Sequence, residues 1–344
     1  MKKRVTIYEI AERLGISTAT VYRALNDKPK VSASTREAVL KTARELGFKA
    51  NTLARSLARK QIKLAVVAFT SFPEFHNYFI AGAREASEEL MDYNIQVDYF
   101  AYEGGNSYSE SGEAYLESRL EEIANGGYDG ALVCAKEAKG FELLKEKKVV
   151  VATAINDIRS EMRRFCIQYN GRIAGKLAAE LLWWQMDHSR QVVIASGIKD
   201  RGIHAEMVNG FFEQLQYTPL SVACVYYNYD SEEMAYHETN RVLKEYPNIG
   251  GIYVNSFNSV SVIRSIKEHG LAGKIRVITS DIYDDLRQNI NEGIVNASIY
   301  QDQYTQGRLG LRLLYQCIAE NLDVEERTLI SPQIILRSNM ELFA

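Results

Sequence analysis

Three short stretches at the front of the chain repeat their apolar residues at helical spacing. Ile7, Ile10, Ala11 and Leu14 recur at i, i+3, i+4 and i+7 and mark one face of a helix. Val21 and Leu25 give an inward face to a second helix, and Val39, Ala43 and Leu46 do the same for a third. The punctuation agrees with these faces. Thr6-Ile-Tyr-Glu9 is a capping-box pattern, so a helix is predicted to open at Thr6. Gly15 can take the left-handed conformation that ends it. Ser17 can cap the second helix, which turns Thr18, Ala19, Tyr22 and Arg23 outward. Asn26-Asp-Lys-Pro29 is turn-rich, Ser34-Thr-Arg-Glu37 is a second capping box, and Gly47 is a stop. Short helices set at an angle, with polar side chains on the second, have the form that enters the major groove of DNA.

Residues 49–61 are basic and rich in Ala and Leu, and the segment is too short to hold a helix alone. It reads as a linker that becomes helical on binding. From Lys63 onward, apolar β-rich runs alternate with helical ones. Strands are predicted near 63–69, 95–101, 130–135, 148–154, 191–196, 221–227, 250–255, 275–280, 296–300 and 333–337. Helices are predicted near 79–92, 111–126, 171–187, 203–216, 231–246, 257–269, 283–292 and 304–320. This alternation predicts parallel sheets covered by helices on both faces. So long a stretch exceeds one comfortable sheet and divides into two α/β lobes. Ligands in such folds sit beyond the carboxyl ends of the strands, here in the cleft between lobes.

Charge sharpens the division. The 344 residues carry a net charge of only −3, but residues 1–60 hold 14 Lys/Arg against 5 Asp/Glu, a balance of +9, and the remainder carries −12. A basic head on an acidic body predicts that the head alone meets a polyanion. Cys134, Cys166, Cys224 and Cys317 are scattered, with no CxxC pair, as expected of reduced thiols in a cytoplasmic protein. No apolar run of about 18 residues predicts a membrane span, and no apolar core follows the basic start Met1-Lys-Lys-Arg4 as a signal peptide would require. The chain holds no GxGxxG after a strand, no GxxxxGK[ST], no HExxH and no GxSxG, and its five histidines lack metal-ligand spacing. Neither an enzyme nor a cofactor or metal site is expected.

The head resembles the LacI/GalR family of bacterial transcription regulators. The matching residues are Thr6-Ile-Tyr-Glu-Ile-Ala11, Gly15-Ile-Ser17, Ala19-Thr-Val21, Arg23-Ala-Leu-Asn26, Val31-Ser32, Thr35-Arg36, Leu46-Gly-Phe48 and Asn51-Thr-Leu-Ala-Arg-Ser-Leu57, without gaps. The body resembles that family's effector-binding core, itself similar to periplasmic sugar-binding proteins. It does so through Phe75 with Gly82, Ala174-Gly175, Ala178-Ala179-Glu180, Gly210-Phe211, Asp281 and Gln301. The resemblance implies an all-α helix-turn-helix headpiece over 1–48, a hinge over 49–61, and a two-lobed, doubly wound, periplasmic-binding-protein-like core over 62–340. The N-terminal lobe is expected at about 62–162 and 302–323, and the C-terminal lobe at about 163–301 and 324–340.

By the same resemblance, Thr18, Ala19 and Arg23 read bases, and Arg23 can hold guanine O6 and N7 together, worth ~1–3 kcal/mol of discrimination. Tyr8, Ser17, Thr20, Asn26, Ser32 and Thr35 match backbone-contact positions, which set register without reading sequence. Ordinary helix capping is the alternative for these hydroxyls. Leu57, with Ala54 and Asn51, matches the hinge that wedges a leucine into the minor groove. That wedge requires two copies side by side, hence a homodimer on a near-palindromic operator. Tyr22 stands where a small Ser is common, and Ala50 where Pro often precedes the hinge.

Phe75, His76, Asn156, Asp157, Tyr229, Ser256, Phe257, Asn258, Asp281 and Gln301 align near the effector cleft. Aromatic faces with carboxylates and amides suit a polyhydroxylated ring. Met207 replaces the family's pocket Arg, Asn170-Gly171 replaces Asp-Asn, and His76 replaces a second Phe, leaving His204 or Glu206 to reach the pocket instead. The expected protein is a repressor gated by a sugar or sugar derivative. A catabolite-control regulator gated by a phosphoprotein, or one with a non-sugar effector such as a purine, is the alternative. It is expected in the cytoplasm, at the nucleoid when bound to DNA.

Overall fold

The computed structural model describes residues 6–25, 28–46, 48, 60–69, 72–102, 109–199 and 202–343. The chain divides into two compact units, Met1–Lys60 and Gln61–Ala344. In the first, α1 (Ile7–Leu14), α2 (Thr18–Leu25) and α3 (Ala33–Leu46) close on a small core of Ile10, Ala11, Val21, Ala24, Val39 and Ala43. Gly15 ends α1 in the left-handed region at φ 63°. The third helix starts earlier than the Ser34 capping box predicts. Ser32 takes the cap, its Oγ accepting the Thr35 N–H at 3.1 Å. Gly47 and residues 49–59 of the hinge predicted over 49–61 lie outside the described residues.

The second unit contains two six-stranded sheets. The first runs β2 (Ile95–Ala101), β1 (Ile62–Ala68), β3 (Gly130–Cys134), β4 (Val150–Ala154), β5 (Phe165–Tyr169) and β11 (Arg327–Ile330), all parallel. Alternate residues of β1 serve its two faces. Leu64, Val66 and Ala68 pack on α4 (Pro73–Glu89) and α12 (Gln303–Glu320), while Ala65 and Val67 pack on α5 (Glu110–Asn125) and α6 (Gly140–Glu146). Burial on both faces is why such strands read as unbroken apolar runs.

The second sheet runs β7 (Ser221–Tyr227), β6 (Gln191–Ser196), β8 (Ile249–Val254), β9 (Arg276–Ser280), β10 (Ala297–Tyr300) and β12 (Gln333–Ile335), parallel except for β12. Val192 and Ile194 face α7 (Gly171–Gln185) and α8 (Gly202–Gln214). Val193 and Ala195 face α9 (Glu232–Glu245), α10 (Ser259–Glu268) and α11 (Asp284–Asn291). Helices α7 and α8 approach until a Cβ on Gly175 would strike the Met207 carbonyl and one on Gly210 the Arg172 carbonyl.

Several elements depart from the periodicity. β5, β11 and α6 are absent from the predicted set: β5 is a five-residue run broken by Gln168, β11 is a polar edge strand, and α6 has under two turns. The fourth helix begins at Pro73 rather than near 79, because proline at its first turn costs no hydrogen bond. The lobe boundaries move accordingly. Residues 163–169 and 327–330, expected in the C-terminal lobe, belong with the first sheet through β5 and β11. Three connections, Asn170, Gln301–Asp302 and Ser331–Pro332, therefore join the lobes.

Candidate functional site

In the head, the inward residues of α2 leave Ala19, Tyr22 and Arg23 exposed and Thr18 half-buried on the opposite side. Tyr22 is 51% exposed and Tyr8 70%. The predicted backbone-contact hydroxyls form two helix caps. Ser17 Oγ accepts the Thr20 N–H at 3.1 Å and meets the Thr20 hydroxyl at 2.9 Å. Ser32 Oγ meets the Thr35 hydroxyl at 2.7 Å. A capped helix start still presents backbone N–H groups and a positive dipole end, the arrangement that receives a phosphate. Asn26, Asn51, Ala54 and Leu57 lie outside the described residues.

In the core, a cavity of about 670 Å³ opens between the lobes. Its wall is built where strands of both sheets end. Phe69 follows β1, Lys136 follows β3, Asn156 follows β4, Asn255 and Phe257 follow β8, Asp281 follows β9 and Gln301 follows β10. Phe72 and Phe75 come from the start of α4 and meet Phe257 across the cleft, with ring centroids 4.8 and 5.9 Å apart. Phe257 also stacks on Tyr283 at 4.4 Å, so the ring is held from behind. Aromatic pairs at these spacings add to plain area burial. Ile155, Asp230 and Asp281, which line the cavity, have φ between 57° and 68°. Such non-glycine conformations persist where surroundings over-determine them, often at ligand sites.

Asp281 forms the floor. Its carboxylate accepts from the Gln301 N–H at 3.1 Å and Gln301 Nε2 at 2.7 Å, and Ser298 Oγ donates to its carbonyl. Burial pushes its carboxyl from 3.8 up to about 7, against the opposing hydrogen bonds of Gln301 and Gln303. Asp157 behaves oppositely. Burial disfavours its charge, but Arg163 outweighs that through bonds of 2.5 and 2.7 Å, and the carboxyl falls below its ordinary value. On the first lobe, Lys136 pairs with Glu113 at 2.6 Å, and Arg159 pairs with Glu137. Burial pushes the Cys134 thiol up to about 12, which leaves it protonated. All four cysteines are free.

Six predicted cleft residues line the cavity together: Phe75, Asn156, Asp157, Phe257, Asp281 and Gln301. Four do not. His76 is buried within α4. Tyr229, in the turn after β7, is half exposed and outside the lining. Ser256 and Asn258 are buried and bonded to Asn228, at 2.9 and 3.2 Å, so they brace the loop behind Phe257. Met207 has no place in the wall. It lies beneath, where the hydroxyls of Tyr169 and Tyr253 point to its sulfur at 2.5 and 3.3 Å. Glu206 turns away to Arg327. Among the lining residues not singled out are Phe69, Phe72, Asn255 and Asp230. Each follows a strand end or opens a helix next to the cleft, a positional signal that a count of strand carboxyl termini provides.

The head and the core each match a known family. Residues 6–51 match the description "Bacterial regulatory proteins, lacI family", and residues 62–321 match "Periplasmic binding protein domain". The head is a LacI-family domain of bacterial regulatory proteins, and the core belongs to the periplasmic binding protein domain family. Catabolite control protein A of Priestia megaterium is 26% identical over 90% of this chain and 91% of its own. The lactose operon repressor of Escherichia coli is 45% identical over 20% of this chain and 19% of its own. The solved structure of GanP, a glucose-galactose binding protein from Geobacillus stearothermophilus, superposes with a TM-score of 0.73 at 17% identity, covering 82% of this chain and 99% of that one. A second, a carbohydrate transporter solute binding protein from Agrobacterium radiobacter, gives 0.70 at 18% over 82% and 97%. At these identities the likeness speaks for the fold. The LacI-family relatives are transcription regulators rather than enzymes. Among the described residues no helix is long and apolar enough to cross a membrane, and no group of three His, Cys, Asp or Glu could hold a metal ion.

Proposed function

We infer that this LacI-family regulator is a cytoplasmic repressor that binds a near-palindromic operator as a homodimer and is gated by a sugar or sugar derivative. The observation that carries the reading is the cavity between the lobes, where Phe75 and Phe257 offer apolar faces and Asp281, Gln301 and Asn156 offer paired acceptors and donors. Rings with polar edges are held in this way, by stacking on their CH faces and hydrogen bonding at their rims. The edge strands β2 and β7 present half-buried apolar residues such as Val97 and Val225, which supports a second copy lying along both lobes.

Thr18, Ala19 and Arg23 read the major groove; Tyr8 and the capped hydroxyls hold the backbone. Leu57, with Asn51 and Ala54, forms the minor-groove hinge. Effector binding changes the angle between lobes and so the spacing of the paired hinges. A differential affinity of ~1–3 kcal/mol between the two states is an ordinary coupling. Selection of bound sequences from a random pool tests the head: Arg23→Ala should relax preference at one symmetric base pair, with half-sites about one helical turn apart. An unchanged preference refutes the base-reading role.

A further inference from the structure

One pair of polar groups in the cleft, His204 and Asp230, stands apart from the residues aligned near the effector cleft. His204, in the first turn of α8, lines the cavity together with Asp230 from the turn after β7. The imidazole occupies the space that a side chain at Gly197 would need, since a Cβ there would fall on the ring. The backbone N–H of Ile198 points at His204 Nδ1 from 3.0 Å. A backbone N–H can only donate, so Nδ1 must be the bare, accepting nitrogen, and the proton of the neutral ring sits on Nε2. Burial also lowers the pKa of His204 against the opposing pull of Asp230, which keeps the ring neutral. Asn255 Nδ2 donates to the His204 carbonyl at 3.4 Å and ties the turn to β8.

Asp230 is held just as firmly. Its backbone sits in the left-handed region at φ 57°, and its N–H donates to Asn228 Oδ1 at 3.1 Å. Its carboxylate has no hydrogen-bond partner among the described residues, and burial raises its pKa against the weaker effect of His204. Nε2–H of His204 likewise meets no acceptor among the described residues. A half-buried donor and a half-buried acceptor thus line the same cavity, neither of them partnered among the described residues.

We propose that His204 and Asp230 are a second recognition arm of the effector cleft, with His204 Nε2–H donating to the ligand and Asp230 accepting from it. The arm rests on the reading of the cavity as an effector site. It selects a ligand with an acceptor and a donor on neighbouring atoms, the signature of a vicinal diol or an amino alcohol. A buried donor left unpaired by a ligand lacking that pair is what gives such a site its selectivity.

Two measurements on the full chain test this. In the free protein, nitrogen-15 spectra of the histidines, with His204 assigned through His204→Gln, should show a bare Nδ1 and a protonated Nε2 between about pH 7 and 8. The reverse tautomer or a charged ring overturns the proposal whatever the ligand. In the second, D-glucose, D-galactose, D-ribose, D-glucosamine and D-galactosamine are screened by thermal shift. The best stabiliser is then titrated against His204→Phe, His204→Gln and Asp230→Asn. Affinity should fall about threefold to tenfold in His204→Phe and about tenfold to a hundredfold in Asp230→Asn, with His204→Gln close to the parent because it keeps a donor. Equal affinity in all four proteins overturns the arm while leaving the effector site standing. If no sugar stabilises the parent, the sugar reading fails and the ligand class proposed here falls with it.

Discussion

Asp281→Asn isolates the electrostatic cost of the cleft floor. The wild-type carboxyl is raised from 3.8 to about 7, with burial as the leading cause. The folded state therefore holds a proton that the unfolded chain has released over that range. A raised carboxyl of this kind contributes stability that is present below the unfolded value and lost as pH rises through the folded one. At about 1.4 kcal/mol per pH unit, the full loss is about 4 kcal/mol, and about 2 kcal/mol of it falls between about pH 5.5 and 8. Asparagine cannot ionise and can still accept from the Gln301 N–H that now meets Oδ1 at 3.1 Å. Urea unfolding of both proteins at the two pH values reads the effect. Asp230 and His204 titrate in both proteins and drop out of the difference. The stability of Asp281→Asn relative to the parent should rise by about 2 kcal/mol between the lower and the higher pH. Parallel pH dependence in the two proteins would show that burial does not govern Asp281 and refute the reasoning.

Three further outcomes follow from single residues. Gly175→Ala drives a Cβ into the Met207 carbonyl, a backbone contact that no rotamer change relieves, so urea unfolding should show a loss of about 3 kcal/mol. Asp157→Asn leaves the guanidinium of Arg163, whose side chain is only 4% exposed, with the Glu326 carbonyl at 3.1 Å and the exposed Glu326 carboxylate at 3.6 Å; about 3 kcal/mol should be lost, and a neutral result would remove its bracing role. Leu57→Ala should reduce operator bending, measured by fluorescence transfer between DNA ends, more than it reduces non-specific affinity; equal bending in both proteins would exclude the wedge.

Local patterns made much of the chain legible. The faces of α1, α2 and α3 follow from a period that puts Ile10, Val21 and Val39 inside, and the buried parallel strands follow from runs such as Leu64–Ala68. What escaped was short or polar: α6 with fewer than two turns, and β11 with its alternating exposed residues. The cleft was legible in part for a related reason. Asp281 and Gln301 end clear apolar strands, so position alone marks them. His76 and Phe75 are neighbours in sequence, but the pitch of α4 sends one into the core and the other to the cavity.

The amino-acid sequence by itself determined the basic reading head, the alternation that builds two parallel sheets, and the strand ends from which a ligand site must be made. These are local properties of period, charge and turn chemistry. Tertiary structure alone decided which lobe owns β5 and β11, because sheet membership depends on pairing between segments as distant as Arg327 and Cys166. It also decided which polar side chains face the cavity. Ser256 and Asn258 turn back to Asn228, whereas His204 takes the space left by Gly197 and lines the cavity. Side-chain direction of that kind depends on what the fold packs behind each residue.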